Sequence, residues 1–121
     1  MDQITISIDE LVFLQREVDE EGVELYASKL AAGEPLDPLY GRYCVHTDQF
    51  YVLDGAHRSY ASYFRSGKKE IELRYENCSK LHMYELNKTD PCIIKDGPFS
   101  FKGSINDLVL VDEASKEMEL N

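Results

Sequence analysis

The stretch VLDGAHRSYASYF (residues 52–64) joins a strand-like apolar run to a helical pattern. An Asp-Gly pair such as Asp54-Gly55 usually marks a hairpin turn. The apolar residues that follow, among them Tyr60, Ala61 and Phe64, recur at helical spacing rather than alternating. The stretch therefore predicts a strand that turns directly into a helix.

The start of this second helix has the composition of an anion-binding site. The N–H groups of a first helical turn lack intrahelical partners, and with the helix dipole they attract phosphate or carboxylate. Gly55 permits a sharp turn and the small Ala56 leaves the backbone accessible. Arg58 offers a planar fork for phosphate oxygens, and His57 can donate a hydrogen bond or move a proton. Asp54 can hold a metal-bound water, accept from a hydroxyl or orient His57.

The alternative interpretation of the corner is structural. In it, Asp54 caps the helix, while His57 and Arg58 are polar surface residues. The preceding strand and the apolar stripe that follows favour the binding interpretation, because they place the motif at a well-defined corner.

The segments on either side complete a β-α-β-β-α-β order. A first helix runs from Asp19, which can cap it, to a stop at Gly33. Residues 9–18 are predicted as a turn or a single helical turn. Strands are predicted at 3–8, 40–46, 49–54 and 69–75, and the second helix at 56–65.

Residues 77–121 are predicted to be a short β-rich extension packed on the same α+β domain as the core of residues 1–76. Residues 91–95 and 107–111 have the apolar composition of strands, and residues 96–103 that of a loop. Residues 79–86 suit a short helix. The charged residues 112–121 are predicted to be a helical or frayed end.

The composition excludes several classes of partner. The chain has 121 residues and a net charge of −10, which argues against general affinity for nucleic acid or an anionic membrane surface. No apolar run approaches the roughly 20 residues of a membrane span, and the acidic first residues lack a signal-peptide pattern, so a cytoplasmic location is predicted. Cys44, Cys78 and Cys92 are predicted to be reduced. A local basic group, comprising Arg58, Arg65, Lys68 and Lys69, could still serve one small anionic ligand.

Residues 53–75, LDGAHRSYASYFRSGKKEIELRY, resemble the signature of the ParB/sulfiredoxin superfamily. ParB-type domains carry Gly-x-Arg-Arg at this corner, sulfiredoxins Gly-Cys-His-Arg, and free serine kinases Asp-Gly-His-His-Arg. The last pattern matches at Asp54, Gly55, His57 and Arg58. Residues 6–39 are similar to the strand, acidic turn, helix and Pro loop of the same superfamily. The resemblance spans about residues 3 to 76 and implies a ParB/sulfiredoxin-like core.

The resemblance implies a bound nucleotide, ATP or ADP with CTP as a further option, together with Mg²⁺. Residues 33–38 would lie near the base or ribose. Arg16 and either Ser28 or Lys29 would flank the phosphates. The phosphate cradle itself would comprise Gly55, Ala56, His57, Arg58 and Ser59.

The chain also departs from each branch of the superfamily. Ala56 stands where sulfiredoxins carry their catalytic cysteine, which excludes sulfinic-acid reduction by that residue. His57 replaces an arginine of ParB, and no helix-turn-helix segment follows, so chromosome partitioning through DNA is not expected. The catalytic glutamate of the serine kinases aligns with Arg16, and Glu17 lies one place later.

These features predict a nucleotide-binding protein that carries out Mg²⁺-dependent phosphoryl transfer or nucleotide hydrolysis. Asp54 would hold the metal, His57 would bind phosphate or shuttle a proton, and Glu17 would be the base. The phosphate acceptor would be a small molecule or a protein. The alternatives are a non-catalytic nucleotide-sensing or partner-binding module, an acidic DNA mimic and a metal-dependent nuclease.

Overall fold

The computed structural model describes residues 1–45, 47–77 and 101–112. It contains two α-helices, α1 (Glu20–Ala31) and α2 (Ala56–Tyr60), and a π-helical turn (Ala61–Arg65) that continues α2. The strands are β1 (Asp2–Ser7), β2 (Leu11–Phe13), β3 (Glu17–Asp19), β4 (Leu39–Cys44), β5 (Gln49–Asp54), β6 (Glu70–Asn77) and β7 (Val109–Val111). Short 3-10 turns cover Ile8–Glu10 and Ile105–Asp107.

Five strands form one mixed sheet in the order β1-β6-β4-β5-β2. The pairs β1–β6 and β4–β5 are antiparallel, whereas β4–β6 and β2–β5 are parallel. The pairing brings Ile4 opposite Leu73 and Leu11 opposite Phe50. Strands β3 and β7 form a separate parallel pair. Because β5 lies inside the sheet, the corner after Asp54 is fixed by pairing on both sides.

The two faces of the sheet bury different side chains, as alternation along a strand requires. In β5, Val52 packs in the main core, which also contains Val23 of α1 and Ala56 of α2. Tyr51 points to the other face and packs against Val12 in a smaller cluster. The helices therefore lie over the face that carries Val52, and α2 starts directly above the end of β5.

The predicted α+β fold is confirmed, and its order β-α-β-β-α-β is present with two additional strands, β2 and β3, between the first strand and α1. Residues 9–18 were expected to form a turn or a single helical turn. The 3-10 turn Ile8–Glu10 covers only their start, and the two strands β2 and β3 follow. Leu11 and Phe13 are almost completely buried, which explains why this segment extends along β5 instead of looping into solvent. The strand predicted at residues 107–111 is present as β7.

The end of the described chain packs on the core. Ile105 and Leu108 belong to the main core cluster, and the backbone of Gly103 exchanges hydrogen bonds with that of Phe13. The division into a core of residues 1–76 and an extension of residues 77–121 stays a prediction. The elements predicted at 79–86 and 91–95 lie outside the described residues, as do most of the loop at 96–103 and the tail at 112–121.

Two further observations bear on the chemistry of the chain. Cys44, predicted to be a reduced thiol, is buried and disulfide-bonded, and its partner lies outside the described residues. That prediction is therefore wrong for Cys44.

Within the described ranges, no helix is long and apolar enough to cross a membrane.

Candidate functional site

The β5–α2 corner depends on the conformation of Gly55. This residue has φ 129° and ψ 18°, a backbone conformation that residues with a side chain rarely adopt. A Cβ at this position would lie 2.3 Å from Leu39 Cδ2. No side chain in the described part of the chain caps the first turn of α2. The corner is therefore sharp, tightly packed beneath and uncapped.

Arg58 is anchored under this corner. Its Nη1 donates hydrogen bonds to the carbonyl oxygens of Asp37 at 3.0 Å and Pro38 at 2.9 Å. Its Nη2 donates to Asp54 Oδ2 at 3.1 Å, and only 8% of the residue is exposed. The guanidinium group therefore ties the end of β5 and the start of α2 to the loop before β4.

His57, the neighbouring residue, turns toward α1 instead. Its Nε2 accepts a hydrogen bond from the backbone N–H of Asp19 at 3.0 Å, and Asp19 Oδ2 lies 3.7 Å from the same nitrogen. A Cβ on Gly22 would lie 2.7 Å from His57 Cδ2, so the imidazole packs directly on the first turn of α1. His57 is thus a link between the two helices.

The remaining residues of the predicted cradle are buried. Ser59 is fully buried, and its hydroxyl donates to the Gly55 carbonyl oxygen at 2.8 Å. Ala56 is 5% exposed and belongs to the main core. Contact with a ligand by either residue therefore depends on its backbone rather than its side chain.

Lys29 and Arg58 line one cavity of about 220 Å³ beside the corner. Tyr26 of α1 contributes to the same cavity, and Lys29 Nζ lies 5.7 Å from the centre of its ring. The rest of the lining comes from the loop before β4: Pro35, Leu36 and Asp37. The structure therefore brings together Lys29, Arg58 and part of the 33–38 segment that the sequence placed in one site.

Three other basic residues of the predicted local group lie elsewhere. Arg65 pairs with Glu24 at 3.4 Å, Lys69 Nζ lies 4.8 Å from the Tyr63 ring centre, and Lys68 lines a different cavity. The proximity of these residues in sequence thus does not produce one continuous basic surface at the corner.

Apart from Lys29, Arg58 and the 33–38 segment, none of the predicted site residues lines this cavity, and that includes His57 as well as Ser28, Arg16 and Glu17. Ser28 lines a separate cavity of about 630 Å³ whose other lining residues are largely acidic. Arg16 is exposed, and its carbonyl oxygen accepts from the Val109 backbone N–H at 2.8 Å. Glu17 is exposed on β3. Among the described residues, no hydrogen bond or ion pair joins the Arg16 or Glu17 side chain to the corner.

The clearest electrostatic perturbation lies away from the corner, on the β4–β5 hairpin. The Tyr43 hydroxyl donates a hydrogen bond to Asp48 at 2.5 Å, and this bond is the main reason that the pKa of Tyr43 is raised.

Within residues 1–45, 47–77 and 101–112, no group of three or more His, Cys, Asp or Glu side chains could hold a metal ion. A cation at the corner would accordingly depend on Asp54, whose side chain is 79% exposed.

Solved structures share this architecture. Sulfiredoxin from Arabidopsis thaliana matches with a TM-score of 0.53 and 13% identity, over 73% of this chain and 99% of that one. The C-terminally truncated chromosome-partitioning protein ParB from Caulobacter crescentus, complexed with CTP-γ-S, matches with a TM-score of 0.51 and 19% identity, over 79% of this chain and 53% of that one. The chain has the ParB/sulfiredoxin-like fold.

A third structure with this likeness is protein Atu1540 from Agrobacterium tumefaciens, with a TM-score of 0.58 and 18% identity. The match covers 89% of this chain and 61% of Atu1540, so the chain spans less than two thirds of that neighbour. No protein-family model and no curated protein matches the sequence. At these sequence identities, the similarity to the three solved structures shows a shared fold only.

The sequence did not identify every residue that shapes the corner of this ParB/sulfiredoxin-like fold. Tyr26 was not among the predicted site residues, and the carbonyl groups of Asp37 and Pro38 carry no signal of residue type. Asp19 was expected to cap α1, yet its side chain makes no capping bond among the described residues. Gly22 offered the one available signal, because a glycine inside a helical turn indicates a close neighbour.

Proposed function

We propose that this protein binds a nucleotide whose phosphate groups lie at the β5–α2 corner. The observation that carries the proposal is the shared cavity of Lys29 and Arg58 in a chain with a net charge of −10. Two cations line it together with the single carboxylate of Asp37. Paired cations in an otherwise acidic protein favour one small anion over a polyanion.

The start of α2 supports the same ligand chemistry. Its first turn has no side-chain cap among the described residues, which leaves its backbone N–H groups without a side-chain acceptor. Backbone N–H groups in such a turn bind phosphate oxygens well. Arg58 is already fixed by carbonyl groups, so its conformation requires little reorganisation when a ligand binds.

The size of the cavity limits what it can enclose. Its volume of about 220 Å³ is below the roughly 300–1,000 Å³ of sites that enclose whole drug-sized ligands. We therefore place phosphate groups inside it and the sugar and base along the loop that contains Pro35 and Leu36. The ParB neighbour with its CTP analogue supports a nucleotide as the ligand class. ATP and ADP follow from the sequence resemblance.

Asp54 fits a role in holding Mg²⁺. Its side chain is exposed, and Oδ2 is engaged by Arg58 while the carboxylate keeps further acceptor sites. Mg²⁺ is commonly held by one or two carboxylates together with substrate phosphates, which does not require a preformed cluster. When bound, the ion would neutralise phosphate charge beside Asp54.

Calorimetric titration with ATP, ADP and CTP, each with and without Mg²⁺, tests this proposal. We expect at least one nucleotide to bind, and Lys29→Ala to weaken that binding about tenfold through loss of a charge-assisted contact. Arg74→Gln is the matched control, because it removes an exposed positive charge on β6 away from the cavity. Absence of binding by the unmodified protein, or equal losses in both variants, would overturn the proposal.

The finer role, phosphoryl transfer with Glu17 as base and Asp54 and His57 in the reaction, stays a prediction. A non-catalytic binding module is the second candidate. It is favoured by the His57 Nε2 atom, which accepts from the Asp19 backbone, and by the position of Glu17 away from the cavity. Chromatography of nucleotide after prolonged incubation with Mg²⁺ separates the two: new phosphorylated products or lower phosphates support the enzyme, and unchanged nucleotide supports the module.

A further inference from the structure

We infer that the backbone amide of Asp19 fixes His57 in the tautomer with its hydrogen on Nδ1, so that the free ring nitrogen of His57 can act only as a hydrogen-bond donor. The first half of this inference concerns the ligand-free protein. The second half rests on the proposed nucleotide site. Asp19 acts through its main chain and is therefore a positioning residue.

The hydrogen bond itself determines the tautomer. A backbone N–H can only donate, so His57 Nε2, which lies 3.0 Å from the Asp19 nitrogen, must present its lone pair. In a neutral imidazole one ring nitrogen accepts and the other carries the hydrogen. The hydrogen therefore lies on Nδ1.

The packing of the ring holds this arrangement in place. Gly22 lies so close that a Cβ there would come within 2.7 Å of His57 Cδ2, which leaves the ring little freedom to move on that side. The acidic groups at this end of α1 are Asp19, Glu20 and Glu21, and Asp19 Oδ2 lies 3.7 Å from Nε2. The His57 side chain is 27% exposed, and Nδ1 has no hydrogen-bond partner among the described residues.

This geometry changes the chemistry expected of His57. The lone pair that a general base needs is on Nε2, which is occupied by the Asp19 amide. The hydrogen on Nδ1 can be donated to an acceptor without disturbing that bond. Fixing one ring nitrogen through a neighbouring group is a common way to set the tautomer of a functional histidine. A base role for His57 would therefore first require breaking its link to α1.

Long-range proton–nitrogen NMR of the ligand-free protein tests the tautomer directly. At about pH 9, above the range in which histidines usually titrate, we expect His57 to be almost entirely the form with hydrogen on Nδ1. A spectrum dominated by the other tautomer, or an even mixture of both, would overturn the inference. This outcome would leave the nucleotide titration unaffected.

Two substitutions at one position provide the matched comparison. Asp19→Pro removes the N–H, and the observed φ of −76° lies within the range of proline. We expect both His57 tautomers to appear in this variant. Asp19→Asn removes the carboxylate but keeps the N–H, and we expect it to retain the Nδ1 tautomer. Loss of the preference in Asp19→Asn with retention in Asp19→Pro would show that the carboxylate, not the amide, sets the ring.

The donor role is tested by adding the nucleotide that calorimetry selects. We expect the Nδ1 resonance of His57 to shift on saturation, while Nε2 keeps the signature of an acceptor. Saturation with no change at Nδ1 would reject the donor role and leave the proposed nucleotide site standing. Failure of every nucleotide to bind would instead reject the proposed function, while the tautomer result in the ligand-free protein would remain.

Discussion

Arg58 and His57 are adjacent in sequence but connect the corner to opposite parts of the fold in different ways. Arg58 is buried and donates to two loop carbonyl groups and to Asp54. His57 is partly exposed, and its single described hydrogen bond comes from the backbone of Asp19. Loss of Arg58 removes three hydrogen bonds that join α2 to β5 and to the loop before β4, whereas loss of His57 removes one link between helices.

This difference shows that a motif can combine two tasks in consecutive residues. Arg58, which is more buried and makes more hydrogen bonds, holds the corner in the conformation from which α2 starts. His57, which makes one hydrogen bond, keeps its Nδ1 atom without a hydrogen-bond partner among the described residues. Mutations on the Arg58 side should therefore cost more stability than mutations on the His57 side.

The largest effect is expected for Arg58→Met, which fills a similar volume but cannot donate. The carbonyl groups of Asp37 and Pro38 would lose their charged donor, so we expect the free energy of unfolding to fall by about 3 kcal/mol. Urea denaturation measures it. Asp54→Asn is the control, because it weakens only the exposed end of the network and should cost below about 1 kcal/mol. Equal costs would mean that the carbonyl bonds contribute little.

A somewhat smaller effect is expected for Gly55→Ala. The new Cβ would meet Leu39 Cδ2 and the backbone would keep an unfavourable positive φ, so we expect destabilisation by about 2 kcal/mol. Gly67→Ala provides the comparison, because Gly67 has φ 68° and open space around its Cβ position. The difference between the two variants, read from urea titrations, isolates the steric contact at the corner. No difference would place the whole cost in the backbone conformation.

The smallest effect is expected on the His57 side, for Gly22→Ala. In an exposed helix this change normally stabilises by about 0.5–1 kcal/mol. Here the new Cβ would push on His57 and weaken its bond to Asp19, so we expect no gain or a loss of about 1 kcal/mol. Ser28→Ala, at an exposed position of the same helix, should show the ordinary small gain. A clear stabilisation by Gly22→Ala in thermal melts would mean that the ring moves aside at no cost.

The sequence predicted the corner well because the signals there are local. Asp54-Gly55 followed by apolar residues at helical spacing identifies a turn into a helix. The apolar run before it identifies the strand from which that turn starts. Strands β2 and β3 were missed because three residues are too few to show a period of two. The buried run that contains Leu11 and Phe13 is compatible with several conformations until its partner, β5, is known.

The partners of the motif could not be predicted, for a physical reason. The group that binds His57 is a backbone amide 38 residues away, and every residue except proline carries one. The same holds for the Asp37 and Pro38 carbonyl groups that bind Arg58. Such bonds are decided by how α1 and the loop before β4 pack on α2, which residue types alone do not specify.

The pairing of β1 with β6 has a consequence for how the chain folds. Ile4 lies opposite Leu73, so the sheet's outer edge is closed by segments from opposite ends of the described core. Joining residues so distant along the chain costs more loop-closure entropy than forming the adjacent β4–β5 hairpin. We expect the hairpin to assemble early and the amino-terminal strand to dock late, leaving the edge of β6 exposed during synthesis and refolding.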